Sequence, residues 1–287
     1  METRLLELDL AWLEIKGPDA AKFLNSVVTN DVRKATPAGL YALLLTPKGK
    51  IVADCFCYPC EDWFGIVCET RLKDVLLDNL KRYILFQQKV EIKDQSEKWR
   101  TFALLGEKAQ EAGARLKEKD VWVILTTRWG QPCAEVWARR ENFSRVKEKA
   151  AVPVLDAEAR EVLRIESAAP AFGKDFDENT IPQEACLYNA LSFDKGCYIG
   201  QEIVARLEHR GHVGKQLVQI FLETDAPPRA GEKICSKDQM EIGWITSSCF
   251  SPQHKKAVAL GYLRYSFLDQ TEGKVGAAPA KFKRLVK

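Results

Sequence analysis

The residues best placed to do chemistry in this chain stand in one short run, Lys195-Gly196-Cys197-Tyr198-Ile199-Gly200-Gln201-Glu202. A cysteine between two glycines comes directly before a segment whose Ile199, Ile203, Val204 and Leu207 share one helical face. Unpaired backbone N–H groups and the positive end of a helix dipole favour an anion at such a place. That setting lowers a thiol's pKa from its free value near ~8.5 and raises the thiolate fraction. Lys195 adds a positive charge acting in the same direction. Two readings follow: a reactive or metal-touching thiolate, or a small residue filling a tight turn. Gln201 and Glu202 fall in the first helical turn, where acids are ordinary.

A second group, Cys55, Cys57 and Cys60, raises a metal reading that strand geometry opposes. Ile51, Ala53, Cys55 and Cys57 alternate onto one face, and a hairpin around Pro59 to Asp62 sets Phe64, Ile66 and Cys68 against them. That face is wholly apolar, and a free cysteine packs as a small hydrophobe. The three histidines, His209, His212 and His254, offer no pair at zinc-finger spacing, so no metal site is expected. The same alternation puts Asp54 on the opposite face with Val52, Phe56 and Tyr58. An acid there is costly to bury without a partner, so that face is either solvated or lines a ligand pocket.

The elements that must position these groups are legible as a mixed α and β pattern. Strands are expected at Leu10 to Ile15, Leu40 to Thr46, Ile51 to Tyr58 and Trp63 to Glu69, with a helix opened by Gly17-Pro18-Asp19 and another from Arg71 to Leu85. A second round has strands at Lys89 to Ile92, Thr101 to Leu105, Val121 to Thr126 and Cys133 to Ala138, with helices over Glu107 to Lys117 and Glu141 to Lys149. Two similar αβ halves, splitting near residue 95, are expected, although no residue-level repeat marks them. Asp156 caps a helix running to about Ser167, and a Pro/Gly/Asp-rich loop from Pro170 to Pro182 leads to the signature run. Gly211 stops the helix after it. Beyond lie short strands at Leu217 to Glu223, Glu232 to Cys235, Glu241 to Cys249, Ala257 to Tyr262 and Ala280 to Leu285, the pattern of a small antiparallel barrel or sandwich. The expected division is 1–210 and 211–287.

The totals agree with a globular chain. At 287 residues, 46% apolar and with a net charge of +3, it is long enough for two packed domains. The near-neutral charge, with no basic face interleaved with aromatics, gives no reason to expect direct nucleic-acid binding. Lys281 to Lys287 is basic and reads as a solvated end. No run of 18 apolar residues and no export segment is visible, so no membrane partner is expected. Nine cysteines without a secreted scaffold's spacing point to reduced thiols in the cytoplasm or another reducing compartment.

The signature, with Phe193 and Asp194 before it, resembles the K-G-C-Y-x-G-Q-E motif of the YgfZ-type folate-binding family, which is related in fold to the glycine cleavage T-protein, an aminomethyltransferase. The resemblance extends to Gly17-Pro18-Asp19-Ala20, Thr29-Asn30-Asp31-Val32, Thr46-Pro47-Lys48-Gly49-Lys50-Ile51 with Asp54, and Ile181-Pro182-Gln183-Glu184. It implies an α+β, T-protein-like fold: two ferredoxin-like αβ subdomains forming a tetrahydrofolate pocket, plus a C-terminal antiparallel β-barrel. Arg164-Ile165-Glu166-Ser167-Ala168, followed by Phe172-Gly173-Lys174-Asp175, is similar to the T-protein segment that supplies a pterin-binding glutamate. Glu166 is thereby the first folate residue, joined by Asp54, Tyr198 and Arg206. Arg206 either faces the folate glutamyl carboxylate or is an exposed helical arginine. Cys197 and Lys195 are the implied working residues. Two departures matter: Ala168 stands where the family commonly has glycine, and Ala53-Asp54 keeps one of the T-protein's two adjacent acids. The function implied is a tetrahydrofolate-binding accessory factor for iron-sulfur cluster assembly or repair, with iron-sulfur proteins as partners and indirect support of tRNA modification. The alternative is a folate-dependent aminomethyl or one-carbon transferase.

Overall fold

The computed structural model describes residues 2–127 and 131–285. Two compact units appear: Met1–Pro47, Val52–Asp156 and Asn189–Ile199 form the first, and Lys48–Ile51, Ala157–Tyr188 and Gly200–Lys287 the second. Val286 and Lys287, the end of the basic stretch, lie outside the described residues.

The first unit opens with a strand, β1 (Arg4–Leu8), that charge spacing alone hides. Arg4 and Glu7 of this edge strand are exposed, whereas Leu5 is buried against Phe102, Leu104 and Val136. One lobe follows: β2 (Leu10–Lys16), α1 (Ala20–Val27), β3 (Leu40–Leu45), β4 (Ile51–Pro59), β5 (Trp63–Glu69), α2 (Lys73–Arg82) and β6 (Glu91–Asp94). These strands lie in the order β3-β4-β5-β2-β6. The second lobe runs β7 (Trp99–Leu105), α3 (Ala109–Ala114), β8 (Val121–Thr126), β9 (Cys133–Arg139) and α4 (Phe143–Ala150), and β1 completes its sheet in the order β1-β7-β9-β8. With β3 set aside, each lobe is the same four-stranded antiparallel arrangement backed by two helices. The duplication is therefore one of topology, with little trace in residue identity.

The two sheets of this unit meet through aromatic rings. Trp12 packs on Trp137, Trp122 and Tyr58 with centroids 4.9, 5.1 and 6.0 Å apart. On the other face of β4, Ile51, Ala53, Cys55 and Cys57 are no more than 1% exposed, as the alternation requires.

The second unit holds α5 (Ala157–Glu166), α6 (Gln201–Arg210) and a closed barrel of six strands. These are β10 (Lys215–Leu222), β11 (Lys233–Cys235), β12 (Glu241–Ser251), β13 (Lys256–Arg264), β14 (Glu272–Val275) and β15 (Ala278–Arg284), in the order β10-β13-β12-β11-β14-β15. Closure resolves the barrel-or-sandwich choice. β14 escapes the sequence because Glu-Gly-Lys-Val offers only one large apolar side chain, Val275. Gly49 carries a left-handed φ of +71°, and a Cβ there would lie 2.8 Å from Ile203 of α6, so the 47–50 turn needs a glycine twice over. Helix α6 begins at Gln201, two residues later than the apolar pattern suggests, after Gly200 at φ +82°. Gly211 ends it in extended conformation, φ −144°, and not as a left-handed stop.

Candidate functional site

The signature segment Asn189–Ile199 belongs to the first unit and is stitched to the chain around residues 26–31. The Thr29 hydroxyl donates to the Ala190 carbonyl (2.6 Å) and accepts from the Leu43 N–H (2.9 Å). The Asn30 amide donates to the Tyr41 and Asn189 carbonyls at 2.9 and 3.0 Å. Ser192 N–H donates to Thr29 O at 3.1 Å and Ile199 N–H to Ser26 O at 3.3 Å. Hydrogen bonds from Arg33 hold the neighbouring Asp31 carboxyl far below the usual carboxylate range.

Within this frame Lys195 and Tyr198 point inward and Cys197 outward. Lys195 is 7% exposed, and its Nζ donates to the carbonyls of Val28 and Asn30, both at 2.7 Å. Burial lowers its pKa to about 8, with Asp31 opposing that shift. The Tyr198 ring lies 5.0 Å from the same ammonium, and burial pushes its hydroxyl up to about 12. Cys197 is exposed, whereas Cys55, Cys57, Cys68, Cys133 and Cys249 are buried and Cys60, Cys186 and Cys235 half-buried. The Cys57 hydrogen bond and burial raise Cys55 well above the normal thiol range, and burial raises Cys68 to about 12. These buried sulfurs are packing groups. Among the described residues no group of three or more His, Cys, Asp or Glu side chains is arranged to hold a metal ion.

Asp54 is half-buried on β4. The Tyr41 hydroxyl donates to its Oδ2 at 3.0 Å, and the rings of Tyr41 and Phe56 lie 4.9 Å apart. Burial raises the Asp54 pKa, and the Tyr41 bond opposes the rise. Of the two readings open in the sequence, full solvation is thus replaced by a carboxyl at the edge of an aromatic wall. Deeper in that wall, Glu135 of β9 is 0% exposed and its Oε2 accepts from the Tyr58 hydroxyl at 3.3 Å. Sequence reasoning missed both Tyr41 and Glu135. For Glu135 the signal was present, because a lone acid inside the apolar run Cys133 to Ala138 must find a partner. For Tyr41 it was not, because its pairing needs the position of β3 beside β4.

In the second unit, α5 carries Arg164 and Glu166. Arg164 donates to Asp175 at 2.5 Å and to the Ala169 carbonyl at 2.9 Å. The Glu166 carboxylate is half-buried. Its Oε1 accepts from the Ser251 hydroxyl at 2.5 Å and from Gln253 N–H at 3.4 Å. Arg206 lies on an exposed face of α6 and pairs with Glu202 at 3.1 Å, a surface pair of small energetic weight. Helix α5 closes in a Schellman motif, with Ala168 N–H donating to Ile165 O and Ala169 N–H to Arg164 O. Ala168 takes the left-handed position of that motif, at φ +50°. This is the position where the sequence departs from glycine. Ala168→Gly should therefore raise stability by about 0.5–1 kcal/mol, read as a higher urea midpoint.

Residues 9–126 match the GCVT N-terminal domain, and residues 215–283 match the glycine cleavage T-protein C-terminal barrel domain. Relatives include the aminomethyltransferase of Caldanaerobacter subterraneus subsp. tengcongensis, 27% identical over 285 residues that cover 87% of this chain and 73% of that protein. The aminomethyltransferase of Desulforamulus reducens is 27% identical over 287 residues, covering 90% of this chain and 77% of that protein. The glycine cleavage system aminomethyltransferase T from Bartonella henselae shares the fold, with a TM-score of 0.89 over 99% of this chain and 86% of that one at 19% identity. Carrying both domains in that order on the T-protein fold, the chain is a relative of the glycine cleavage T-protein.

Proposed function

We propose that this chain binds tetrahydrofolate and handles an aminomethyl or other one-carbon group on it. Its kinship with proteins named aminomethyltransferase supports the reading. The observation that carries it is Asp54, a carboxyl held against aromatic rings where burial raises its pKa. A fold keeps an acid in such surroundings at a cost in stability, which is the mark of a working group. The donor set suits a reduced folate: the Asp54 carboxyl can accept N–H bonds from a pterin, and the rings of Tyr41 and Phe56 offer flat apolar surface. Glu166, in its own unit, is a second acceptor of the same kind. Tyr198 and Arg206 are the remaining proposed folate residues, Arg206 by exchanging its exposed Glu202 partner for a glutamyl carboxylate. In titrations with tetrahydrofolate, Glu166→Ala should weaken binding about tenfold or more, as expected for one lost charged hydrogen-bonding pair. Ser251→Ala, which removes the hydroxyl that donates to Glu166 and accepts from the His254 N–H, should leave binding near wild type.

A second reading, the YgfZ-type accessory factor for iron-sulfur assembly or repair, is favoured by the exposure of Cys197 and by buried Ala53 in place of one of two adjacent acids. An accessible thiolate is a natural soft ligand for iron or a cluster. Glycine-dependent methylenetetrahydrofolate synthesis with the other cleavage-system proteins separates the two. Turnover lost in Asp54→Asn and kept in Cys197→Ser supports transfer. Absent turnover, together with failure of Cys197→Ser to restore iron-sulfur enzyme activity in cells lacking the protein, supports the accessory role.

A further inference from the structure

We infer that Lys195 is a positioning residue: its ammonium clamps the Cys197 loop onto the carbonyls of Val28 and Asn30 and does not act on the thiol itself. The inference rests on geometry within the first unit and holds whichever chemistry Cys197 performs. The loop alternates sharply in exposure, with Phe193, Asp194, Gly196 and Cys197 outside and Lys195 and Tyr198 inside. Backbone hydrogen bonds fasten its two ends, Ser192 to Thr29 and Ile199 to Ser26. Between them Lys195 reaches inward, its Nζ 2.7 Å from each of two carbonyls and 5.0 Å from the centre of the Tyr198 ring.

An ammonium has three N–H donors, and this arrangement directs two at carbonyl oxygens and leaves the third on the ring side. None is directed at the exposed thiol two residues away. The carbonyls of Val28 and Asn30 belong to the segment whose Thr29 and Asn30 side chains also tie down Ala190, Asn189, Tyr41 and Leu43. Lys195 thus couples the loop to β3, the strand that carries Tyr41. The titratable groups facing the ammonium are the charged Asp31 and Arg33 and the buried, neutral Cys57 thiol. Burial is the largest influence on this ammonium; Asp31 opposes it and Arg33, the weakest of the three, adds to it.

Because burial lowers the folded pKa to about 8, the folded chain sheds this proton more readily than the unfolded one. Stability from this group therefore rises between pH 8 and the unfolded value of 10.5. A neutral amine keeps two donors, enough for both carbonyls, so the clamp survives deprotonation.

Three readouts test the inference. Amide exchange across 192–199 should rise about tenfold or more in Lys195→Met and in Lys195→Arg, since the bulkier fork does not fit two carbonyls 2.7 Å from one nitrogen. Site-resolved iodoacetamide labelling of Cys197 should speed up in both variants with no change in the pH midpoint of its labelling curve. An upward shift of that midpoint in Lys195→Met with wild-type behaviour in Lys195→Arg would overturn the positioning role and establish a direct charge effect. Wild-type nitrogen NMR of the lysine side chains keeps the test sharp should a variant fail to fold. One slowly exchanging ammonium is expected there, and uniformly fast exchange overturns the clamp.

Discussion

Asp175→Ala should lower the stability of the chain by about 3–5 kcal/mol, the range for removing one partner of a buried ion pair. The Asp175 side chain is 0% exposed and serves four donors. Its Oδ2 accepts from Arg164 at 2.5 Å and from Ala171 N–H at 3.0 Å. Its Oδ1 accepts from the hydroxyls of Thr246 at 2.5 Å and Ser247 at 2.7 Å on β12. One carboxylate therefore joins α5, the 170–176 loop and the barrel. Alanine leaves the guanidinium of Arg164, itself 8% exposed, facing a hole. Glu161 keeps part of its neutralisation, so the loss should sit toward the lower half of the range. Urea unfolding monitored by circular dichroism measures it. Pairing Asp175→Ala with Arg164→Met should cost less than the sum of the two single changes, because the second removes the stranded charge.

Trp12→Ala should cost a comparable ~3–5 kcal/mol, as for other deletions of large buried aromatic side chains. Trp12 is 2% exposed and touches the rings of Tyr58, Trp63, Trp122 and Trp137. Two of those rings belong to each lobe, so the residue joins the two sheets of the first unit. Trp12→Phe keeps part of the ring surface and should cost less than half as much. Near-ultraviolet circular dichroism should lose intensity in the alanine variant at temperatures where its far-ultraviolet spectrum is unchanged. A cost below ~1 kcal/mol would show that the sheets are held together elsewhere.

How far such features can be read from sequence depends on whether they are local. The face of β4 carrying Cys55 and Cys57 was readable because strand alternation is fixed by covalent geometry. The barrel was readable from turn residues and short apolar runs. β1 and β14 were not, because a strand with exposed charges at non-alternating positions and a strand with one large apolar side chain lack periodic contrast. Cys197 stood out by its glycine neighbours, and the fold leaves it exposed. The role of Lys195 was hidden, because its partners Val28 and Asn30 are backbone atoms 167 and 165 residues away. Proximity in sequence suggested that its charge served Cys197, whereas the fold directs it the other way. Tyr41 was invisible as a neighbour of Asp54 because only the placing of β3 beside β4 brings it there, and the partner of Glu135 was hidden because Tyr58 reaches it from the other sheet of the unit.

Calorimetric titration of the intact wild-type chain with tetrahydrofolate under reducing conditions is the most direct test. Saturable binding is predicted, weakened by Asp54→Asn but not by Cys197→Ser. Absence of any saturable heat up to millimolar tetrahydrofolate would contradict folate binding and leave the T-protein fold serving another ligand.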